Sequence, residues 1–453
     1  MHLSKAQDKK ETSHMILKET YSVPCVAKKV PLPGIHTITV PGSKSITNRA
    51  LLLATLAEGV STLSGVLFSD DSRHFLSCVQ ELGFETHVDE ANHIVTVHGL
   101  GGRVPKPECS LYVGSAGTAA RFLTAYLGVQ NGVYHMDASE QMRRRPMAPL
   151  LKVLRQLGCH IACDNSEGYF PFTLVSHGFQ KNVTTVNIDD SSQFLSALLI
   201  SSCLSPKDFS IHLEGSHGMA YIEMTRRMMK EFGVTVEAPD PRTFLTPAGQ
   251  HYQSRDYQIE PDVSAACYFY AMCPLLQLPI KVNHITPGSM QGDMAFLDIL
   301  VRMGCTRRDE EDGVVLLPPE AGHFSGIHID MSACSDQAIT LSAIAPFADS
   351  PTTITGIAHI RHQECDRLSA ICNELTRLGI RCECGEDSLT IYPGIPHSGK
   401  VNTYEDHRMA MGFSLIGLRT PGIVIDNPAC CRKTFENYFE VLEDTLSNLF
   451  GKC

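Results

Sequence analysis

The sequence predicts an α/β protein of two lobes, each made of three repeated β-α-β-α-β-β units with pseudo-threefold symmetry. Three observations predict it. A glycine recurs behind helical apolar patterns, a capped helix start recurs in the same phase, and extended segments near the N-terminus belong to no earlier helix. The glycines are Gly83, Gly158, Gly233, Gly304 and Gly379, each followed by β-type alternation. Each stands where the residue after a helix must turn left-handed. A sixth helix ends at Leu449-Phe450-Gly451, one more period along, so the sixth unit is expected to lack its final strands. The starts fall near Ser43, Gly117, Ser191, Ser264, Asp336 and His407, evenly spaced and in step with the glycines.

The extended segments Tyr21 to Ala27 and Ile35 to Val40 are expected to pair with the C-terminal unit. That closure gives a flexible tail over 1–20, a first lobe over 43–260 and a second lobe from 21–42 plus 261–453. The chain then crosses between lobes twice, near Val40 to Gly42 and near Pro261. Two lobes facing each other imply a cleft.

Composition narrows the class. With 38 basic and 49 acidic residues the net charge is −11, which argues against nucleic-acid binding. Hydrophobic content of 43% and charge of 19% fit a folded globular chain, and no apolar run approaches a membrane span. Seventeen cysteines without framework spacing read as reduced thiols. Residues 1–20 show no signal-peptide h-region and the first arginine is Arg49, so a cytoplasmic location is expected.

Helix N-termini carry unpaired N–H groups and partial positive charge, so six starts aimed at one cleft would form an anion site. Cations cluster at the same places: Lys44 and Arg49, Arg143-Arg144-Arg145, Arg408, and Arg432-Lys433. Pro41-Gly42-Ser43-Lys44-Ser45 fails as a P-loop because Ser43 separates glycine from lysine. Cys382-Glu383-Cys384 and Cys430-Cys431 lack companions at zinc-site spacing, so no metal is expected. Two carboxylates stand out. Asp336 opens a helix, where an ordinary N-cap is the plain reading, and Glu364 lies three residues before Arg367, where an ion pair is.

These motifs together resemble the 5-enolpyruvylshikimate-3-phosphate synthase family. The resemblance rests on Pro41-Gly42-Ser43-Lys44-Ser45 with Asn48-Arg49-Ala50, Gly117-Thr118, Arg145-Pro146, Ser191-Ser192-Gln193-Phe194 and Met290-Gln291-Gly292-Asp293. It continues through Glu364-Cys365-Asp366-Arg367, Asp406-His407-Arg408-Met409-Ala410 and Lys433-Thr434-Phe435. The match runs in order from about residue 30 to the C-terminus. It implies the two-lobed enolpyruvyltransferase fold and transfer of the enolpyruvyl group of phosphoenolpyruvate to the 5-hydroxyl of shikimate 3-phosphate, releasing phosphate. It also implies no metal or organic cofactor, small-molecule partners only, no membrane or nucleic acid, and a monomer.

Carried over residue by residue, Lys44, Gly117, Arg145, Gln193, Arg367, Arg408 and Lys433 would hold phosphoenolpyruvate. Lys44, Ser45, Arg49, Ser191, Ser192, Gln193, Tyr221 and Asp336 would hold the acceptor, with His359 and Gln363 at two further acceptor positions. Asp336, Glu364 and Lys44 would move protons. Glyphosate is expected to compete with phosphoenolpyruvate against Gly117. Five positions depart from the family pattern: Ser115 for Asn, Gln141 for Arg, Gly218 for a phosphate-binding Ser, His359 for Asn and Gln363 for Lys. The last three lie on the acceptor side, where His217, His362 and Arg144 are candidates to restore the charge. Two alternatives follow: a different phosphorylated acceptor such as a nucleotide, and a non-catalytic binding protein on the same scaffold.

Overall fold

A computed structural model of the chain describes residues 19–451 apart from His217. The described residues form six small sheets, five of four strands and one of three. The second unit shows the common pattern. Strand Glu108–Tyr112 runs parallel to Asn131–Asp137, with helix Gly117–Gly128 between them in sequence. Asn131–Asp137 then pairs antiparallel with Phe172–His177, which pairs antiparallel with His160–Cys163. The β-α-β-α-β-β unit read from the sequence is this arrangement. The helix-end glycines Gly83, Gly158, Gly233, Gly304, Gly379 and Gly451 all have φ between +80° and +117°, a region in which a Cβ is disfavoured.

Each unit contributes one inner and one outer helix. The inner helices, such as Gly117–Gly128 and Gln193–Ser202, are apolar on all sides and almost wholly buried. The outer helices, such as Asp70–Glu81 and Arg367–Arg377, bury one face only. The apolar side chains form two separate cores. One draws on residues between Ile46 and Ile259, the other on Val23 to Val40 together with Val263 to Leu449.

Two expectations need correction. Strand Thr20–Ser22 pairs with Ile423–Asp426 in the sixth unit, but His36–Ile38 joins the fourth unit beside Ile280–Asn283. The reason lies at the crossing. The chain enters the fourth inner helix from Asp256–Gln258, which stays parallel to Glu58–Ser64 in the first unit. That leaves the edge of Ile280–Asn283 open for another strand. Thr20, assigned to the flexible tail, is paired with Asp426. Residues 1–18 lie outside the described residues.

The two crossings lie side by side. Gly42 and Pro261 form an isolated antiparallel bridge. Ser43 N–H donates to Glu260 O at 2.8 Å and Asp262 N–H to Pro41 O at 2.8 Å. An ideal Cβ on Gly42 would lie 1.9 Å from Gly65 O, a backbone atom that cannot move alone. Gly42→Ala is therefore expected to destabilise the fold by about 1–3 kcal/mol, the scale of overpacking. A lowered urea midpoint at unchanged slope checks this.

Candidate active site

Five of the six inner-helix starts meet at one cavity of about 100 Å³ between the lobes. They bring Lys44 and Ser45, Gly117 and Thr118, Ser192 and Gln193, Ser335 and Asp336, and His407 and Arg408. The sixth start, Asp262 to Ser264, borders an adjoining smaller cavity instead. Its charge is already answered, because the Asp262 carboxylate accepts from Ala265 N–H at 2.9 Å and from Lys44 N–H at 3.0 Å.

Of the residues singled out in the sequence, Lys44, Ser45, Arg49, Gly117, Arg145, Ser191, Ser192, Gln193, Tyr221, Asp336, Gln363, Glu364, Arg367 and Arg408 line the cavity. Lys433 stands behind this lining and reaches Glu364 at 3.1 Å. His359 is one step removed, its Nε2 2.8 Å from the hydroxyl of Ser335, which does line the cavity.

The two carboxylates sit in a lattice of cations. Asp336 is 2.8 Å from both Arg367 and Arg408, and Tyr221 donates its hydroxyl to it at 3.1 Å. It caps no helix through its side chain. Glu364 pairs with Arg367 at 2.8 Å, as the plain reading expected, but also with Lys433 at 3.1 Å and Arg145 at 3.7 Å. Arg367 is shared with Asp406 at 2.7 Å. Burial alone would raise both carboxyls. The Arg408 and Arg367 charges at Asp336, and the Lys433, Arg367 and Arg145 charges at Glu364, outweigh it and hold both below the ordinary carboxylate range.

Arg49 differs. Burial pushes its guanidinium down to about 10. It donates to Thr225 Oγ1 at 2.8 Å and to the Ser45 carbonyl at 2.9 Å, and sits over the Phe122 ring at 5.2 Å. Among the described residues no carboxylate pairs with it, so a ligand anion would complete its environment.

Two of the departures are accommodated locally. Gly218 has φ +68°, and an ideal Cβ there would lie 2.5 Å from Ser192 Oγ, so Ser192 fills the space of the missing side chain. Gln363 accepts a hydrogen bond from Arg367. Arg144 does not restore the lost charge, because it lies exposed beside Glu140 at 3.3 Å. His362 does not line the cavity, and His217 lies outside the described residues.

Among the cavity residues given no role in the sequence reading, Asp71 and His407 bear on its charge balance. Asp71 faces Lys44 at 3.4 Å and accepts from Ser115 Oγ at 3.5 Å. In sequence it reads only as an acid in the first turn after the Ser69 cap. His407 is buried, and neither ring nitrogen has a hydrogen-bond partner among the described residues. Burial, Lys44 and Arg408 hold its imidazole well below 6.5, against the pull of Glu364.

This sets a pH dependence. Below about pH 6.5 the unfolded chain protonates His407 while the folded protein resists, so stability present above that pH is lost as pH falls. Asp293 acts oppositely. Burial, opposed by Arg408 and aided by Asp336, raises it to about 6, so its contribution is lost as pH rises. The urea midpoint should fall less steeply between about pH 7.5 and about pH 5 in His407→Asn than in the unaltered protein, and equal slopes would remove His407 from this account.

A cleft of buried cations and paired carboxylates, fed by helix starts from two lobes, defines an enzyme that works on small anionic substrates. The family model described as EPSP synthase (3-phosphoshikimate 1-carboxyvinyltransferase) matches residues 28–442, and the chain belongs to that family of transferases. It is 42% identical over 422 residues to the 3-phosphoshikimate 1-carboxyvinyltransferase of Trichormus variabilis, covering 93% of this chain and 98% of that one. It is 39% identical to 3-phosphoshikimate 1-carboxyvinyltransferase 2 of Halalkalibacterium halodurans, covering 90% and 91%. The solved EPSP synthase of Acinetobacter baumannii superposes with a TM-score of 0.77 at 25% identity, over 92% and 97% of the two chains. The enolpyruvyl transferase NikO of Streptomyces tendae, at 18% identity and TM-score 0.73 over 92% and 95%, shares the fold. No helix among the described residues is long and apolar enough to cross a membrane.

Proposed function

We propose that this protein transfers the enolpyruvyl group of phosphoenolpyruvate to the 5-hydroxyl of shikimate 3-phosphate and releases phosphate. The observation that carries the reading is the shared set of cations. Arg145, Arg367, Arg408 and Lys433, which would hold phosphoenolpyruvate, are the groups that now neutralise Asp336 and Glu364. Bidentate guanidiniums suit the carboxylate and phosphate of that substrate. As the substrate takes these charges, Asp336 and Glu364 lose counter-ions and gain basicity where a proton must move.

In the addition step the acceptor oxygen bonds to C2 of the enol, Asp336 takes the hydroxyl proton, and a proton passes to the methylene carbon. In the elimination step a methyl proton leaves, the C–C double bond re-forms and phosphate departs with the C–O electron pair. Glu364 and Lys44 serve the carbon and the leaving group. The cations and the Gly117 and Gln193 helix starts stabilise charge gathering on phosphate and carboxylate. Ser45, Arg49, Ser191, Ser192, Gln193 and Tyr221 form the acceptor side with His359 and Gln363, and Arg49 suits the acceptor carboxylate. The groups named are enough for the proposed chemistry without a second copy, and we read the protein as a monomer. The described cysteines are all free, which supports a cytoplasmic location.

One observation favours a second acceptor. Gln363 offers no cation where the family has Lys, and Gly218 no hydroxyl. A coupled phosphate-release assay with phosphoenolpyruvate and either shikimate 3-phosphate or a panel of nucleotides decides it. Release with shikimate 3-phosphate alone supports the proposal, release only with a nucleotide replaces the acceptor, and release with none points to a binding protein.

A further inference from the structure

We propose that Glu374 is a positioning residue, a buried clamp on the strained turn that aims His407 and Arg408 into the cavity. Tyr404 and Glu405, immediately before Asp406-His407-Arg408, are consecutive non-glycine residues in the left-handed region, with φ of +55° and +58°. Side chains rarely adopt this conformation, and surroundings must hold two such residues in a row. Helix Arg367–Arg377 does so from two points, Arg367 and Glu374, about two turns apart on one face.

At one end Arg367 binds the Asp406 carboxylate at 2.7 Å, and Asp406 accepts the Arg408 N–H at 2.8 Å. At the other end Glu374, a carboxylate with no exposed surface, accepts Asn402 N–H at 3.0 Å and the Tyr404 hydroxyl at 2.7 Å. The strained pair lies between these anchors. Glu374 is far from ordinary surface pairing. Its ion-pair partner, Arg377, is half exposed at 3.4 Å, so the carboxylate is buried for its two turn contacts rather than for that pair. Among the described residues, the hydrogen bond that reaches the turn from the opposite lobe is long, Gln141 Nε2 to Glu405 O at 3.5 Å.

The kinetic part of the test rests on the function proposed above; the exchange part does not. Glu374→Gln keeps shape but removes the charge that strengthens both contacts, and with Oε1 kept for Asn402 N–H the Tyr404 hydroxyl must turn from donor to acceptor. Hydrogen exchange of residues 402–408, which include the Asn402 amide bonded to Glu374, should rise at least about tenfold in the ligand-free protein, with exchange elsewhere unchanged. The KM for phosphoenolpyruvate should rise at least about tenfold, through Arg408, while that for shikimate 3-phosphate changes less than about twofold. Adding Glu405→Gly relieves one of the two strained positions, Tyr404 keeping its own, and should bring both quantities at least about threefold back toward the starting protein. If Glu374→Gln fails to fold, Tyr404→Phe takes its place, with exchange of 402–408 rising and again falling on Glu405→Gly. Unchanged exchange at 402–408 in either variant, or failure of Glu405→Gly to lower it, overturns the proposal. A starting protein inactive with shikimate 3-phosphate would refute the proposed function and leave the exchange result to decide the clamp.

Discussion

Asp336→Asn and Glu364→Gln are each expected to lower turnover by about 100-fold or more, roughly 2.7 kcal/mol of transition-state stabilisation. Both substitutions keep the side chain's shape, remove its charge and basicity, and turn one acceptor oxygen into a donor among cations. Their burial changes one part of the expectation. In an open cleft neither substitution would affect folding, but Asp336 is 17% exposed and Glu364 9%, and both are ion-paired. Some stability change is therefore expected. It is limited because Arg367 keeps two of its three carboxylates in either variant, and Arg408 keeps the Tyr268 hydroxyl at 3.4 Å. Turnover measured at a temperature well below the midpoint of each variant separates the two effects. Near-normal turnover in either would mark that residue as structural.

Gly117→Ala is expected to raise the inhibition constant of glyphosate at least about tenfold, the scale of one methyl group in a tight site. An ideal Cβ on Gly117 would lie 2.9 Å from Arg121 Nη1, 3.1 Å from Arg145 Nη1 and 3.2 Å from Gln193 Oε1. Arg145 and Gln193 line the cavity, so the methyl group must displace groups proposed to grip phosphoenolpyruvate. The shorter substrate should lose less affinity than the longer inhibitor. Phe122, whose bulk could shift this helix, is fully buried and lies against Arg49, so it also supports the acceptor side. Steady-state kinetics over a glyphosate titration check the ratio, and an unchanged inhibition constant would take Gly117 out of the substrate's path.

Local sequence was enough to reveal the six-unit period, because helix-end glycines, capped starts and strand alternation are properties of a few adjacent residues. It also revealed which cations and carboxylates stand at the helix starts, since each start is set locally. Three features arose only on folding. His36–Ile38 went to the fourth unit, because Asp256–Gln258, at the far end of the first lobe in sequence, stayed with the first unit and left a strand edge unpaired. Asp71, whose local pattern is that of any acidic first turn, became a site residue by being set against Lys44. Arg367 came to lie among Asp336, Glu364 and Asp406, the first and last of them 31 and 39 residues away, and so set how acidic Asp336 and Glu364 are. Apart from the Glu364–Arg367 pair, three residues apart, sheet-edge pairing and buried charge balance depend on groups far apart in sequence that only the folded backbone brings together.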